Sequence, residues 1–293
     1  PILAACTGNP GMKAENWAEI LPDISLASRI PRIIHQTYPG KSLPEALRDN
    51  VAKLASANPD WDHRLYDDEA IERFILDHYP RQILEAYLKI RPEYGAARAD
   101  LFRYLAVYRL GGVYLDIKSR VTRPIEKVIR GDEGIILSKW RNGPGNVHQG
   151  FGLHPELSKL QGGEFQQWHV IAASGHPFLR AVILGVLSNV DRYSPWKFGV
   201  GRNGVFRLTG PIAYTLAIHP LLGSAPARIV ADETELSLEY SIAGSYVHQD
   251  AFRRHYSQYD TSIVSLPLFR RASALLYTQA RRLKARLKHF WSN

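Results

Sequence analysis

Cysteine is nearly missing from this chain, with Cys6 the only one in 293 residues. A lone thiol excludes an internal disulfide framework and suits a reducing compartment, so a cytoplasmic location is expected. No apolar run approaches the roughly 18 to 20 residues that a membrane-crossing helix needs. Internal repeats and low-complexity stretches are absent too, which argues against a repeat array, a fibrous protein or a disordered one. Leu3-Ala-Ala-Cys6 has the outline of a lipoprotein cleavage box. Without the basic and apolar regions of a signal peptide before it, a cytosolic start is the expectation.

Acid is the other absence. Residues 270–293 hold Arg270, Arg271, Arg281, Arg282, Lys284, Arg286 and Lys288 and no Asp or Glu, so most of the formal net charge of +9 sits there. Basic residues confined to one terminal element do not form the folded basic face of a nucleic-acid binder, and no nucleic-acid partner is expected. Leu275, Leu276, Tyr277, Leu283, Leu287, Phe290 and Trp291 lie among those bases. Residues 268–293 therefore read as a basic amphipathic helix, able to lie on an anionic membrane surface. The plainer alternative is a solvated basic face on a helix packed against its own domain.

What remains is ordinary globular composition, 45% hydrophobic and 22% charged. Ile30-Pro-Arg-Ile-Ile-His-Gln-Thr37 reads as a buried first strand closed by Tyr38-Pro39-Gly40. A helix is expected over 44–57, a strand over 63–66, and a helix capped by Asp67-Asp68-Glu69. Later strands are expected over 134–138, 147–153, 227–230 and 240–247. Helices are expected over 165–173, 177–187 and 212–218. Residues 205–211 read as extended, and the glycine-rich 199–204 as a mobile loop over a site. Strands alternating with helices predict an α/β sheet. Residues 1–29 form an amino-terminal extension, 30–267 a catalytic domain and 268–293 the basic helix.

The most informative segment is Arg98-Ala-Asp-Leu-Phe-Arg-Tyr-Leu-Ala-Val-Tyr-Arg-Leu-Gly-Gly-Val-Tyr-Leu-Asp-Ile-Lys118. On a helix, Asp100 and Arg103 share a face. Gly111-Gly112 then permits a tight reversal, and Tyr114 and Asp116 point to one side of the strand that follows. Two carboxylates, a guanidinium and a phenol thus meet near the carboxyl end of a strand, where open α/β sheets bind ligands. Singly, Asp100 and Arg103 read as a surface ion pair and Asp116 as a polar strand end; their combined spacing favours function.

This segment resembles the sugar-nucleotide-binding core of the DXD-containing glycosyltransferases of family 32, a/s-x-x-D-x-x-R followed by G-G-x-Y-x-D-x-D. The first strand is similar to the family's I-P-K-I-I-H-Q-x-W, with Tyr38 in place of tryptophan. Asn58-Pro-Asp-Trp-Asp-His-Arg-Leu-Tyr-Asp-Asp68 and Leu208-Thr-Gly-Pro211 resemble its second-strand pattern and T-G-P turn. The resemblance implies a GT-A, Rossmann-like fold with a central mixed, mostly parallel sheet flanked by helices. It also implies hexosyl transfer with retention, from a UDP- or GDP-sugar to a glycan or lipid-linked acceptor, in cell-envelope or capsular polysaccharide synthesis on the inner face of the plasma membrane. Asp116, Asp100, Arg103 and Lys118 would act at the reacting centre. Tyr38, by stacking on the base, His35, Gln36, Tyr114, Gly111, Gly112, Thr209 and Gly210 would hold the donor, although His35 alone reads as a satisfied buried histidine. Residues 140–146 and the 199–204 loop would bear on sugar choice.

Lys118 is where the family pattern breaks, because an ammonium cannot ligate a cation. The family's D-x-D pair serves a divalent ion, Mn²⁺ or Mg²⁺. Here Asp116 would hold it with a ligand from elsewhere, such as His248, or Lys118 would itself neutralise the diphosphate. A third reading is an inactive homologue that binds glycan or membrane. A glycosidase would need paired carboxylates across a cleft.

Overall fold

The computed structural model describes residues 16–242 and 258–291. Cys6 and His248 lie outside them. The chain opens with a single helical turn, α1 (Trp17–Ile20), which buries Trp17 against the body; Trp17 Nε1 donates to Asp191 at 2.7 Å. Then come β1 (Ile33–Thr37), α2 (Glu45–Ala57), β2 (Asp62–Tyr66), α3 (Asp68–His78) and α4 (Arg81–Lys89). Asp67 caps α3, its side chain accepting from the Ala70 amide at 2.8 Å. The central motif forms α5 (Gly95–Leu110) and β3 (Gly112–Leu115), followed by β4 (Arg120–Val121), β5 (Ile135–Ser138) and β6 (His169–Ala172). Four helices follow: α6 (Pro177–Asp191), α7 (Pro195–Phe198), α8 (Gly201–Leu208) and α9 (Pro211–Ile218). β7 (Ala227–Val230), β8 (Leu238–Glu239) and α10 (Leu268–Trp291) complete the chain.

Six strands form one sheet in the order β2-β1-β3-β6-β5-β7. β1 runs parallel to β2 and β3, and β5 parallel to β7, while β6 is antiparallel to both its neighbours. The sheet is therefore mixed and mostly parallel, as expected. Strand alternation sorts its side chains into two cores. Tyr114, Val170 and Ala172 join α3 to α6 on one face. Val113, Leu115, Ile34 and Ile171 join Leu54 of α2 and Trp61 on the other. Burial on both faces explains why β3, β5 and β6 have no polar alternation.

The structure corrects four of the expected segments, and most of a fifth lies outside the described residues. Residues 165–173 are not a helix, since His169–Ala172 is the strand that pairs antiparallel with β3. Residues 147–153 are turns, in which Gly150 and Gly152 take φ of +78° and +71°, unlike a strand. The stretch 199–211 is largely helical, with Gly201–Leu208 forming α8 in place of the expected loop and extended segment. At 240–247, the strand β8 ends at Glu239, and 243–247 lie outside the described residues.

The double glycine has a direct steric reason. Gly111 and Gly112 have φ of +70° and +105°. A Cβ at Gly111 would stand 2.6 Å from Pro31 Cδ, and one at Gly112 would overlap the carbonyl oxygen of Ile33. Only glycine lets the end of α5 turn this closely against β1, and that turn fixes where Asp116 emerges.

Candidate active site

Asp116 follows the last residue of β3, and its amide donates to the Trp168 carbonyl at 2.9 Å. Its side chain is 24% exposed, and its Oδ1 lies 3.1 Å from Arg103 Nη2. The same nitrogen lies 3.2 Å from Asp100 Oδ1. One buried guanidinium thus bridges the two carboxylates, as the helix spacing predicts. Arg103 Nη1 donates to the backbone and side-chain oxygens of Gln167 at 2.6 and 2.9 Å, and its plane lies over the Tyr114 ring, 4.6 Å from the centroid. With every edge engaged, Arg103 is a fixed positive charge.

Asp100 is not the surface residue that a lone helical ion pair would suggest. It is buried, accepting from Thr209 Oγ1 at 2.9 Å and from Gln167 Nε2 at 3.1 Å. Burial raises its pKa above the usual carboxylate value, opposed by Arg103 and those two hydrogen bonds. Gly210 passes close by, where a Cβ would lie 3.5 Å from Asp100 Oδ2. Thr209 therefore holds Asp100, and Asp100 holds Arg103. Tyr114 is buried beneath Arg103, its hydroxyl 2.9 Å from Thr37 Oγ1, and burial pushes its pKa up to about 12.

On β1, His35 is fully buried, with Nε2 donating to the Gly111 carbonyl at 3.0 Å. Nδ1, the unprotonated nitrogen of that tautomer, takes the Tyr66 hydroxyl at 3.1 Å. Burial lowers its pKa to about 4, so it stays neutral and ties β1 to the double-glycine turn. Gln36 is buried as well; its carbonyl oxygen accepts from His63 Nε2 at 2.9 Å, and its amide nitrogen has no hydrogen-bond partner among the described residues. His35 is thus engaged within the sheet through both ring nitrogens, and both residues are fully buried. Tyr38, half-buried, stands beyond the end of β1 with its amide bonded to the Tyr66 carbonyl.

Lys118 is half-buried and does not project freely into solvent. Its Nζ donates to the Tyr240 hydroxyl at 2.9 Å and lies 4.1 Å from that ring's centroid. Tyr240 in turn packs edge-on against Trp140 and Trp168, with centroids 5.4 and 5.5 Å away. Next to these rings runs a polar chain that sequence reading missed. His169 Nε2 donates to Ser138 Oγ at 2.9 Å, Ser138 donates to Gln166 Oε1 at 2.9 Å, and Gln166 Nε2 donates to the buried Glu233 at 2.6 Å. His148 Nε2 meets Glu233 at 3.0 Å. Burial holds His169 neutral, lowering its pKa to about 3. The only sequence signal was the polar Gln-Gln and His within an aromatic run at 165–173.

These residues do not fit a divalent cation held by the protein alone. Among the described residues, no group of three or more His, Cys, Asp or Glu could hold a metal. Asp116 shares one oxygen with Arg103, Asp100 is saturated by donors, and the second carboxylate position is Lys118. His248, the other expected ligand, lies outside the described residues.

Residues 44–135, from the start of α2 to the start of β5, match the family described as glycosyltransferase sugar-binding region containing DXD motif. Over 194 residues the chain is 33% identical to mannosyl phosphorylinositol ceramide synthase CSH1 of Saccharomyces cerevisiae, covering 64% of this chain and 49% of that protein. It is 28% identical over 186 residues to inositol phosphoceramide mannosyltransferase 3 of Schizosaccharomyces pombe, covering 64% and 44%. The chain spans about half the length of these relatives. Among solved structures, the UDP-bound glycosyltransferase domain from the YGT toxin is similar at a TM-score of 0.49 and 9% identity, covering 75% of this chain and 82% of that one. Residues 44–135 thus match the sugar-binding region of the DXD-containing glycosyltransferases, and the chain is similar to yeast mannosyltransferases over about two thirds of its length.

Proposed function

We propose that this protein transfers a sugar from a nucleoside-diphosphate donor to a glycan or lipid-linked acceptor. The observation that carries the proposal is the buried Asp100–Arg103–Asp116 array at the end of β3. Asp116, the partly exposed member, accepts hydrogen bonds from donor hydroxyls. Arg103 fixes its orientation, and Asp100 with Thr209 fixes Arg103. Lys118 supplies positive charge two residues further on, for the departing diphosphate.

In a same-face displacement, the C1–oxygen bond to the diphosphate breaks as the acceptor oxygen bonds to C1, and the acceptor's proton passes to the leaving phosphate. No dedicated carboxylate nucleophile stands out among the described site residues, which favours this course over a covalent intermediate. The names of the two yeast relatives favour mannose as the sugar and an inositol-containing lipid as acceptor. The proposal extends to a place in cell-envelope or capsular polysaccharide synthesis on the cytoplasmic side of a membrane.

A thermal-shift panel of UDP- and GDP-sugars, each with and without Mn²⁺, tests it. A ligand at about 100 times its Kd adds about 2.7 kcal/mol of stability. One donor is expected to raise the transition temperature. No shift with any member, in either condition, would overturn the proposal.

A further inference from the structure

α10 is fastened to the body along one side. Trp196 Nε1 donates to the Ser273 carbonyl at 3.1 Å, and its ring meets Tyr277 edge-on with centroids 5.1 Å apart. Arg282 pairs with Asp260 at 2.7 Å. Among the described side chains of the helix, Leu268, Phe269, Leu275, Leu276 and Leu283 stand exposed instead. Phe269, Leu276 and Leu283 are spaced seven apart, so they form one stripe along the helix. They are 76%, 61% and 59% exposed, and Leu268 and Leu275 beside them 78% and 64%. Leu287 and Phe290 continue the spacing in the sequence. A helix that stabilised only its own domain would turn this stripe inward.

The charges select what covers it. Seven Arg and Lys and no acid lie between 270 and 293. A second copy would set these like charges against one another. A nucleic acid would neutralise the bases but leave the stripe in water. An anionic bilayer surface takes both, the stripe at the acyl boundary and the bases at the headgroup phosphates.

We propose that α10 docks this protein onto an anionic lipid surface through the outward stripe of Phe269, Leu276 and Leu283. Apolar insertion and a polybasic segment together supply the two signals that stable peripheral attachment requires. Each base near such a surface adds roughly fivefold in affinity, lost as salt screens it. The docking is independent of the transfer reaction, and its test needs no substrate.

Flotation of the full chain is measured with vesicles of phosphatidylcholine alone and of phosphatidylcholine mixed with phosphatidylglycerol. The expected result is binding to the anionic vesicles that falls at least about tenfold on neutral ones and in high salt. The combined variant Phe269→Ser, Leu276→Ser, Leu283→Ser should lose roughly a hundredfold in binding. Its unfolding transition should stay in place, because the replaced side chains are exposed. No binding to anionic vesicles, equal binding to neutral ones, or undiminished binding by the variant would overturn the proposal. A wild-type dimer in sedimentation that the variant abolishes would also overturn it, assigning the stripe to a second copy.

Discussion

Thr209 donates its hydroxyl to the carboxylate of Asp100 at 2.9 Å, joining residues 109 positions apart in the chain. This contact gives the T-G-P turn its place in the site, because Asp100 is buried and Thr209 is one of the three residues that donate to it, with Gln167 and Arg103. Thr209→Val keeps the shape and removes the donor. It should destabilise the protein by about 1–3 kcal/mol, the cost of an unmet buried acceptor, and Thr209→Ser should restore most of it. Denaturant unfolding checks this; equal midpoints for Val and Ser would contradict the role.

Gly112 and Gly40 offer a matched pair, with φ of +105° and +104°. A Cβ at Gly40 meets nothing within 4 Å, whereas one at Gly112 would overlap the Ile33 carbonyl. Gly40→Ala should therefore show backbone strain alone, about 1 kcal/mol. Gly112→Ala should cost more than twice as much, by denaturant unfolding, or fail to yield folded protein. Similar losses for both would mean that the close approach to β1 is unimportant.

Three buried histidines contribute to the loss of stability in acid. Burial lowers the pKa of His35 and His176 to about 4 and of His169 to about 3, from 6.5. The unfolded chain then takes up protons first, so their contribution is complete above about pH 6.5 and declines as the pH falls towards the folded values. Asp100, its pKa raised by burial, acts in the opposite sense above the ordinary carboxylate range and blunts the loss. Each histidine adds about 1.4 kcal/mol per pH unit to the slope. His169→Gln should remove one such increment between about pH 6 and 4, as measured by denaturant unfolding at several pH values. An unchanged slope would contradict the burial of a neutral His169.

Where the signal was local, the sequence was readable. β1, the capped α3, and the run from α5 through Gly111-Gly112 to Asp116 all follow from periodicity, turn chemistry and side-chain direction. Residues 165–173 misled because a short aromatic and β-branched run buried on both faces suits helix or strand equally. Only pairing with β3 decides it. Lys118 and Tyr240, 122 residues apart, carry no local signal of their contact. The same holds for Gln167, which binds both Arg103 and Asp100.

Lys118 gives a charge-specific prediction. Lys118→Met should weaken binding of a nucleoside diphosphate roughly tenfold, the scale of a lost hydrogen bond to a charged group. Lys118→Asp, which completes the D-x-D pair, should make binding respond to Mn²⁺. Calorimetric titration reads both. If Lys118→Met binds as tightly as the wild type, the lysine does not carry diphosphate charge.

The central claim is that Asp116, held by Arg103, serves sugar transfer from a nucleoside-diphosphate donor. Its most direct test is release of nucleoside diphosphate from the donor that thermal shift selects, with an acceptor present, for wild type and Asp116→Asn. We predict turnover by the wild type and a loss of about a hundredfold or more in the variant, with the fold intact, the scale of removing a positioned electrostatic group. Equal rates, or no turnover of any nucleotide sugar by the wild type, would contradict it.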